Sequence, residues 1–551
     1  SGLSSDPDDE DGFRLGSGLG FFRWGLVDQH FLQRGRIGRL LMAAKELGEP
    51  LAFGVDENSA LLVDGDRATV VGETGVLFVD LRKARFDVDD YPVSDARITY
   101  LDDGDGFDLA RGKPLPAADK RRVRVNRASF RRAAPVRRHA FASYAIQDLM
   151  LRLVEADTAY YRADSASAYD PDTQTQITLE LQRRPRRSRA LRAVRNGEIR
   201  YSAVRFELAL RRTRLPLAQR PPESTVVLPP DPAPEARLVL LGNSPLAWSE
   251  SQQSALEAEL PQPVGILATA SGEPRKVAAD YLEWLRGRGI RAEILDVSLS
   301  NIERAGRDRS LLKRIGGMGS LLFTGGDQRR LTETLLHCAE ATPVLAAIVS
   351  AYEQGTPLIG VAAAASAFAN YMIADGDSEA ALRHGSSEDA GFSGVVVERG
   401  IGLTRCGLID QNFLQRQRLG RLLVACASRG EQLGFGLCEE SGLVITGQGD
   451  KMEVIGRDGV IVARFDPAGV ALSPPDLDTR GISLFYMESG QQFDVATLAE
   501  QAPERATAGL GLLDQAIADL ARSYNAALEP GHRPIDTSSL RSTLLGESRP
   551  H

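Results

Sequence analysis

The chain has 551 residues, of which 43% are hydrophobic and 25% are charged. A chain of this length is too long for a single domain with one hydrophobic core, so two or three domains are expected. The composition is typical of globular rather than disordered proteins. The formal net charge of -8 indicates neither a nucleic-acid nor a membrane partner. No apolar run approaches the roughly 18 residues that a membrane-spanning helix needs.

The N-terminal residues 1–12 are polar and acidic, and they lack the basic flank and apolar core of a secretory signal peptide. The four cysteines, Cys338, Cys406, Cys426 and Cys438, all lie in the second half of the chain and form no CxxC pair. This usage predicts reduced thiols and a cytoplasmic protein rather than a disulfide framework.

In chain order, the first strongly patterned stretch is residues 18–41, and it recurs later. Residues 400–423 match it without gaps at an offset of 382, with 16 of 24 positions identical. At the same offset, residues 53–63 (FGVDENSALLV) match residues 435–445 (FGLCEESGLVI). Agreement at one fixed offset predicts a duplicated module.

Residues 116–220, between the two copies, are predicted to form a basic α+β connecting region. Residues 120–139 hold eight arginines and one lysine without an acid. A helical pattern follows over 141–156, and two alternating runs predict strands, with an Asn196–Gly197 turn before the second. The arginines favour a solvated face over a polyanion site, because no aromatic residues are interleaved among them at a regular spacing. Nucleic acid is therefore not an expected partner.

The second copy is preceded by a lead-in that the first copy lacks. After a Pro-rich linker at 221–236, short apolar runs at 237–243, 264–271 and 292–297 alternate with helical patterns. That alternation predicts a parallel sheet covered by helices on both faces, with chemistry collected at the carboxyl ends of the strands. The first copy is therefore expected to be only the C-terminal half of a module. An amphipathic helix is predicted near 508–527 in the tail.

Four motifs give the sequence a more specific likeness. They are FTGGDQ at 323–328, GVAAAAS at 360–366, DQHFLQRGRIGRLL at 28–41 and GVDENSAL at 54–61. Together they resemble cyanophycinases, which are dipeptidase E-like serine exopeptidases. The resemblance implies an α/β fold with a three-layer α/β/α doubly wound parallel sheet, similar to class I glutamine amidotransferases and duplicated in this chain.

The repeat and the resemblance together divide the chain into five predicted segments. They are the C-terminal half of a first module (1–115), the basic connecting region (116–220), the Pro-rich linker (221–236), a second, degenerate module (237–500), and a helix with a polar tail (501–551).

In the first copy, the resemblance assigns His30 as the general base and Glu57 as the carboxylate that orients it. An imidazole is needed because a serine hydroxyl is a poor nucleophile until a neighbour takes its proton. The nucleophile of this copy is expected to lie upstream of Ser1, outside the chain. The alternative interpretation of His30 is a packed, hydrogen-bonded histidine.

In the second copy, the matched catalytic positions are degenerate. Ala362 stands where the resemblance places the serine, Asn412 stands where it places the base, and Glu439 keeps the carboxylate position. Asparagine cannot take a proton near neutral pH, and losing nucleophile and base costs on the order of 10⁶ in turnover. Ser366, the nearby hydroxyl, matches the second serine of the family motif. This copy is therefore predicted to be inactive as a serine hydrolase.

The resemblance also assigns polar residues to substrate binding. They are Asp28, Gln29, Arg34, Arg36 and Arg39 in the first copy, and Gln328, Asp410, Gln411, Arg416, Arg418 and Arg421 in the second. A guanidinium holds a carboxylate with two parallel hydrogen bonds, which suits an aspartyl-arginine substrate. The alternative is that these arginines form a solvated face or salt bridges within the module.

The function implied by the resemblance is hydrolysis of cyanophycin, a poly-aspartate that bears arginine on its side chains, to β-aspartyl-arginine dipeptides. Neither a metal nor an organic cofactor is expected. The first module would cleave and the second would tether the polymer, and a homodimer or a pairing of modules is open. The alternative is a pseudoenzyme that binds cyanophycin or aspartyl peptides without cleaving them.

A third hypothesis is that a separate polypeptide completes the first module. The apolar strands expected within 17–80 need neighbours, because an unpaired strand edge is an aggregation hazard. Residues 1–110 are therefore expected to be poorly behaved in this chain alone, and the chain by itself is expected to be inactive.

Overall fold

A computed structural model divides the chain into two compact units, Ser1–Pro221 and Pro222–His551. The structure describes residues 15–16, 18–86, 93–123, 132–133, 137–154, 161–170, 173–184, 187–195, 198–215, 232–336, 341–388, 393–447, 451–466, 472–473, 476–477, 479–495, 498, 510–528 and 534–545. Some predicted features lie wholly or partly outside these residues: the polar start, part of the arginine-rich stretch, Asn196–Gly197, most of the Pro-rich linker, Cys338 and parts of the C-terminal tail.

The first unit is built mainly from β-strands. In the described residues, β1 to β16 span Leu26–Gln29, Leu51–Val55, Ser59–Asp64, Arg67–Gly72, Gly75–Asp80, Arg85–Phe86, Val93–Asp102, Gly106–Asp108, Lys113–Leu115, Arg121–Arg122, Arg132–Ala133, Arg137–Arg138, Tyr161–Asp170, Thr175–Gln182, Arg189–Arg195 and Glu198–Arg214. The helices α1 and α2 span Ile37–Leu47 and Ala145–Val154. Helix α1 ends at Gly48, whose φ of 67° is readily adopted by a residue without Cβ.

A large mixed sheet organises the first unit, with the main strand order β1-β2-β5-β7-β16-β14-β13-β11. Strand β7 of the first copy pairs antiparallel with β16 of the connecting region, and Phe206 lies opposite Ile98. Both side chains are fully buried in one core with Leu179 of β14. The connecting region thus supplies a neighbour to the strands of residues 1–110. A second sheet has the order β3-β4-β8-β9, with β3 at its edge.

The second unit contains the remaining described elements. Strands β17 to β33 span Arg237–Leu241, Val264–Leu267, Ala292–Ile294, Ser320–Phe323, Leu358–Val361, Tyr371–Asp375, Ser386–Ser387, Val395–Arg399, Leu408–Asp410, Leu433–Leu437, Ser441–Thr446, Lys451–Gly456, Val460–Phe465, Leu472–Ser473, Asp476–Leu477, Ile482–Met487 and Gln492–Asp494. Helices α3 to α13 span Glu250–Glu257, Pro274–Gly287, Ile302–Ala305, Arg309–Ile315, Gln328–Leu335, Pro343–Glu353, Ala363–Ala367, Ser378–His384, Leu419–Arg429, Leu510–Ala527 and Thr537–Leu544, with a short 3₁₀ helix at Pro245–Ala247.

The main sheet of the second unit has the order β19-β18-β20-β21-β17-β27-β28-β33. Its first five strands are parallel to one another, and β27 then joins β17 antiparallel, with Leu240 opposite Leu443. Residues that alternate along β17 enter two different cores. Leu238 packs in the same core as Ile348 of α8, and Val239 packs in the same core as Leu285 of α4. Both faces of the parallel strands are therefore buried, as the continuous apolar runs predicted.

The two stretches that align at an offset of 382 form corresponding elements. Helix α11 occupies the residues that lie 382 positions after those of α1, and β26 and β27 correspond in the same way to β2 and β3. Strands β25-β26-β29-β32 form a four-stranded sheet in the order shown by β1-β2-β5-β7. The environments differ, because β27 pairs with β17 whereas β3 lies at a sheet edge.

The predicted C-terminal helix is α12, which packs with α13 against the core around α11. Neither α12 nor any other helix among the described residues is both long and apolar enough to cross a membrane. Cys406, Cys426 and Cys438 are free thiols in this unit, and burial raises the pKa of Cys438 to about 12.

Candidate active site

The first copy presents a histidine–glutamate pair at the carboxyl end of β1. His30 directly follows β1, and Glu57 lies in the turn between β2 and β3. The Nδ1 atom of His30 lies 2.7 Å from Oε1 of Glu57. Because a carboxylate accepts this hydrogen bond, Nδ1 carries the proton and Nε2 is left as the ring nitrogen that accepts one. About two fifths of each side chain is exposed, at 44% and 41%.

The electrostatics of this pair favour the ionised carboxylate. The hydrogen bond from His30 is the largest cause that lowers the pKa of Glu57 below its ordinary value, and the smaller effect of desolvation opposes it. A carboxylate that stays ionised keeps the imidazole in one tautomer and stabilises the imidazolium that forms when Nε2 takes a proton. The pair thus has the chemistry of an oriented general base.

Local backbone contacts hold this pair in position. His30 has a φ of 47°, and the backbone NH of Phe31 donates to the carbonyl of Val55. The ring of Phe31 covers Gly54, where an added Cβ would lie 2.3 Å from the ring. The hydroxyl of Thr74 donates to the carbonyl of Glu57 at 2.7 Å. Strand β2 and its turn therefore fix the distance between base and carboxylate.

In the second copy, Ala362 occupies a sharp strand-to-helix turn. It lies between β21 and α9 with φ 49° and ψ -108°, a conformation that is costly for a residue with a Cβ. Its backbone NH donates to the carbonyl of Leu241 at 2.8 Å, and that of Asn412 donates to the next carbonyl, of Gly242, at 3.0 Å. Both residues are therefore anchored at the carboxyl end of β17. A nucleophile elbow has this kind of geometry.

The side chains at this turn supply neither a nucleophile nor a base. Ala362 ends in a methyl group, and the amide of Asn412 donates to Oε1 of Gln411 at 3.0 Å. Asn412 has φ 48°, close to the 47° of His30 in the first copy. Ser366 is 1% exposed, and its hydroxyl donates to the carbonyl of Ile409 at 2.6 Å. That hydroxyl therefore cross-links α9 to β25.

Several residues predicted to bind substrate form ion pairs inside each copy. In the first copy, Asp28 accepts hydrogen bonds from both Arg36 and Arg39, with Nε of Arg39 at 2.8 Å. The hydrogen bond to Asp28 is the largest cause that raises the pKa of Arg39. The pairing joins β1 to α1, which is the salt-bridge alternative that the sequence left open.

The equivalent pairing in the second copy is more deeply buried. Asp410 is fully buried and accepts from Nε of Arg421 at 2.7 Å and from Arg418 at 3.2 Å. Burial lowers the pKa of Arg418 to about 10, although Asp410 opposes the change. Arg418 also donates to the carbonyl of Gln411 at 2.5 Å. These residues hold β25 and α11 together.

The remaining predicted residues take different positions. Gln328 donates from Nε2 to the carbonyl of Ile373 at 2.6 Å, which ties α7 to β22. Gln29 and Arg34 are exposed near His30, and Arg416 is exposed near Asn412. Their exposure leaves them accessible to a ligand, and their role in substrate binding remains a prediction.

Sequence reasoning missed two residues that shape the second copy. Gly242 lies so close to the chain at Cys438 that an added Cβ would meet its carbonyl oxygen at 2.0 Å. The next residue, Asn243, accepts at Oδ1 from the backbone NH of Glu440 at 3.1 Å, beside Glu439. The sequence did show small residues at the end of the first apolar run at 237–243. It did not identify their contacts, because the contacting residues lie almost 200 positions later in the chain.

Comparisons with known proteins find partial sequence similarity to cyanophycinases. No protein-family model matches the chain. A cyanophycinase of Synechococcus elongatus is 29% identical over 209 residues, which cover 38% of this chain and 60% of the relative. One of Trichormus variabilis is 31% identical over 201 residues, covering 36% and 62%, and one of Geminocystis herdmanii is 29% identical over 242 residues, covering 42% and 83%.

The matched part of the chain spans about 60% of the length of the first of these relatives. Among solved structures, a peptidase from an acI-B1 Actinobacterium has a TM-score of 0.34 and 16% identity, covering 47% of this chain and 96% of that protein. Over about two fifths of its length, the chain is therefore similar in sequence to cyanophycinases.

Proposed function

We propose that this chain carries two cyanophycinase-like copies with divided roles in serine exopeptidase chemistry. The first copy provides a general base for hydrolysis, and the second copy is non-catalytic and holds the substrate. The observation that carries this proposal is the 2.7 Å contact between His30 and Glu57, set against Asn412 at the equivalent position. The function assigned is hydrolysis of cyanophycin to β-aspartyl-arginine dipeptides, the reaction class of the named relatives.

The proposed fold of each complete copy is a three-layer α/β/α doubly wound sheet of the class I glutamine amidotransferase type, duplicated in the chain. The parallel strands with two buried faces support this proposal for residues 237–500. The boundaries at 115, 220, 236 and 500 belong to the same proposal.

The chemistry of the first copy follows from its hydrogen bonds. Nε2 of His30 takes the proton of a serine hydroxyl as that oxygen attacks the scissile carbonyl, and it then returns the proton to the leaving amine. Water hydrolyses the resulting ester by the same route in reverse. Glu57 orients the ring and stabilises the imidazolium. No step in this scheme needs a metal or an organic cofactor.

The second copy is proposed to tether the insoluble polymer. A non-catalytic copy that binds the substrate raises its local concentration at the working site, by an amount set by the connection between them. The exposed Arg416 supports this role, because a free guanidinium suits the aspartyl carboxylate. The buried pair Asp410–Arg421 is assigned to structural support of that surface.

Binding and cleavage are tested separately. The 551-residue chain is mixed with insoluble cyanophycin and sedimented, and the supernatant is assayed for dipeptide. Co-sedimentation without dipeptide release is expected, with weaker binding by Arg416→Ala than by Arg405→Ala, a matched exposed arginine nearby. Dipeptide release by the second copy, identified because it survives His30→Ala, would overturn the non-catalytic assignment.

The pseudoenzyme is the second candidate, favoured by the methyl group of Ala362 and the amide of Asn412 at the two reactive positions. The natural protein and its His30→Ala variant are compared in the cyanophycin assay. Loss of dipeptide release in the variant supports the hydrolase. Equal dipeptide release by both proteins would show that His30 is not the general base. Binding of cyanophycin by both proteins without dipeptide release supports the pseudoenzyme.

A further inference from the structure

The carboxyl group of Glu57 must be held in one position if its contact with His30 is to orient the ring. Both side chains are about two fifths exposed, and one hydrogen bond of 2.7 Å joins them. An ion pair that water reaches contributes little by itself, because fixing two mobile side chains in one geometry costs conformational entropy. Other contacts to Glu57 therefore decide how well it orients His30.

Two hydroxyl groups in series fix the backbone at Glu57. The hydroxyl of Thr74 donates to the carbonyl of Glu57 at 2.7 Å. Because that proton is already used, the hydroxyl of Ser59 is the donor in the 2.6 Å hydrogen bond that joins it to Thr74. Thr74 is buried, so water competes little for these bonds. The turn that carries Glu57 is therefore tied to the loop between β4 and β5.

The carboxyl group of Glu57 is contacted by Gln33, three residues after His30. The side-chain amide of Gln33 donates a hydrogen bond to Glu57, and its backbone NH donates to Oδ1 of Asp56 at 3.5 Å. Its Oε1 atom is buried and has no hydrogen-bond partner in the part of the chain that the structure describes. Turning the amide round would place that oxygen against the carboxylate. The NH₂ group is therefore kept toward Glu57 although the oxygen is left unpaired.

In the second copy, which carries Asn412 at the position of His30, the matching glutamine makes a different contact. Gln415 lies 382 positions after Gln33. It is exposed, and its Oε1 accepts from the backbone NH of Glu439 at 3.3 Å. The same residue type thus holds the carboxyl group in the first copy and the backbone in the second.

The hydroxyl contact differs between the copies as well. Asp458 stands in the second hairpin where Thr74 stands in the first, two residues after the glycine that pairs with the first residue of the hairpin. Its backbone NH donates to the hydroxyl of Ser441, which donates to the carbonyl of Glu439 at 3.4 Å. This hydrogen bond is longer than the 2.7 Å bond from Thr74 in the first copy. The tighter hold accompanies the copy that has the histidine.

We propose that Gln33 and Thr74 are positioning residues for the base of the first copy. Thr74 fixes the point from which the Glu57 side chain starts, and Gln33 fixes the rotation of its carboxyl group, so that Oε1 faces Nδ1 of His30. Together they hold the ring in the tautomer that carries its proton on Nδ1 and leaves Nε2 free to accept one. Only the catalytic use of the ring rests on the proposed function.

The tautomer of His30 is measured in the 551-residue chain without substrate. The histidine rings are labelled with ¹⁵N, the His30 signals are assigned by their loss in His30→Ala, and the shifts of both ring nitrogens are recorded at a pH where the ring is neutral. Gln33→Met and Thr74→Val keep the approximate shape of each side chain and remove its donor. Each is expected to lower the ratio of the Nδ1–H to the Nε2–H tautomer at least ~3-fold, the effect of one weak net hydrogen bond.

Two controls separate the hydrogen bonds from packing. Thr74→Ser keeps the hydroxyl and is expected to keep the ratio of the unsubstituted chain. Gln415→Met, the matched change in the second copy, is expected to leave the ratio unchanged. The proposal is overturned by an unchanged ratio in both Gln33→Met and Thr74→Val, or by a Thr74→Ser variant that lowers the ratio as much as Thr74→Val does.

The proposed function can fail separately from this inference. Equal dipeptide release by the natural protein and its His30→Ala variant would refute the catalytic use of the ring. The tautomer ratios would still decide whether Gln33 and Thr74 hold His30 through Glu57.

Discussion

His30 and Glu57 form a contact whose strength depends on which of the two groups carries the charge. The carboxylate is the acceptor, and its pKa lies below the ordinary value because His30 donates to it. A group with a lowered pKa in the folded state stabilises that state above its ordinary pKa. The contribution is lost as the pH falls through the folded pKa. The pair is therefore expected to persist through neutral pH and to break only under acidic conditions.

Removing the donor is predicted to raise the pKa of Glu57 toward its ordinary value of 4.5. The change is His30→Ala, and the measurement is a carboxyl ¹³C titration of selectively labelled protein. Gln33→Ala serves as the control and is expected to give a smaller rise, because its hydrogen bond is a lesser cause of the shift. A titration midpoint unchanged in His30→Ala would show that the contact does not form in solution.

The strand-to-helix turn at Ala362, with φ 49° and ψ -108°, has the kind of geometry found in a nucleophile elbow, so serine chemistry is predicted to be possible there after substitution. Ala362→Ser combined with Asn412→His places a hydroxyl and an imidazole on residues anchored at two adjacent carbonyls, those of Leu241 at the end of β17 and of Gly242 directly after it. A positioned general base contributes about 10²–10⁴-fold. Labelling by a fluorophosphonate probe is therefore expected to be about 100-fold faster in the double variant than in Ala362→Ser alone. Equal rates in the two proteins would mean that residue 412 does not reach residue 362.

At the scale of secondary-structure elements, Asp–Arg pairs hold helix α1 to strand β1 in the first copy and helix α11 to strand β25 in the second. Asp410 is fully buried, and Arg421 is 8% exposed at its side chain. In the first copy, Arg39 is 37% exposed while it contacts Asp28. A charge left unpaired in the interior costs far more than one that water can reach. The same Asp–Arg pair is therefore expected to contribute differently to the free energy of unfolding in the two copies.

Arg421→Ala is predicted to destabilise the second unit by about 3–5 kcal/mol, because Asp410 loses its main partner in a dry environment. Arg39→Ala, the matched change in the first copy, is predicted to cost about 1 kcal/mol or less, since solvent screens the Arg39 guanidinium, whose side chain is 37% exposed. The measurement is native-state hydrogen exchange of the amides in α11 and α1. A cost for Arg39→Ala equal to that for Arg421→Ala would contradict this ranking.

At the scale of the whole molecule, the connecting region is part of the first unit's core. Strand β16 pairs with β7, β14 and β15, and so joins the first repeat copy to the rest of the sheet. Phe206 is fully buried between these strands. Residues 1–110 therefore have sheet neighbours within the chain, and among the described residues β1 and β3 each lie at the edge of a sheet.

Phe206→Ala is predicted to destabilise the first unit by about 3–5 kcal/mol, because it removes a large side chain from the shared core. Faster exchange is expected in β5 and β7 of the repeat copy, with β27 of the second unit unchanged. Val194→Ala, an exposed position in the same region, is the control. An effect confined to residues 116–214 would show that the connecting region folds separately.

Much of the candidate site was predictable because its signals are local. The offset of 382 gave the matching bounds of α1 and α11, and the residue identities gave the methyl group of Ala362 and the amide of Asn412 at the matched positions. The pattern of apolar runs predicted parallel strands buried on two faces. Each of these depends on residue type and spacing within a short stretch of chain.

The sequence by itself determined the two matching stretches at an offset of 382, the helical and strand character of most segments, and which chemical groups stand at the matched positions. Only the tertiary structure decided that β16 joins the first copy, that Arg39 and Arg421 pair with aspartates, and that Leu62 is exposed where Val444 is buried. The reason is that strand pairing and burial depend on partners far away in the chain. Two similar stretches therefore have different surroundings, because β27 pairs with β17 whereas β3 lies at a sheet edge among the described residues.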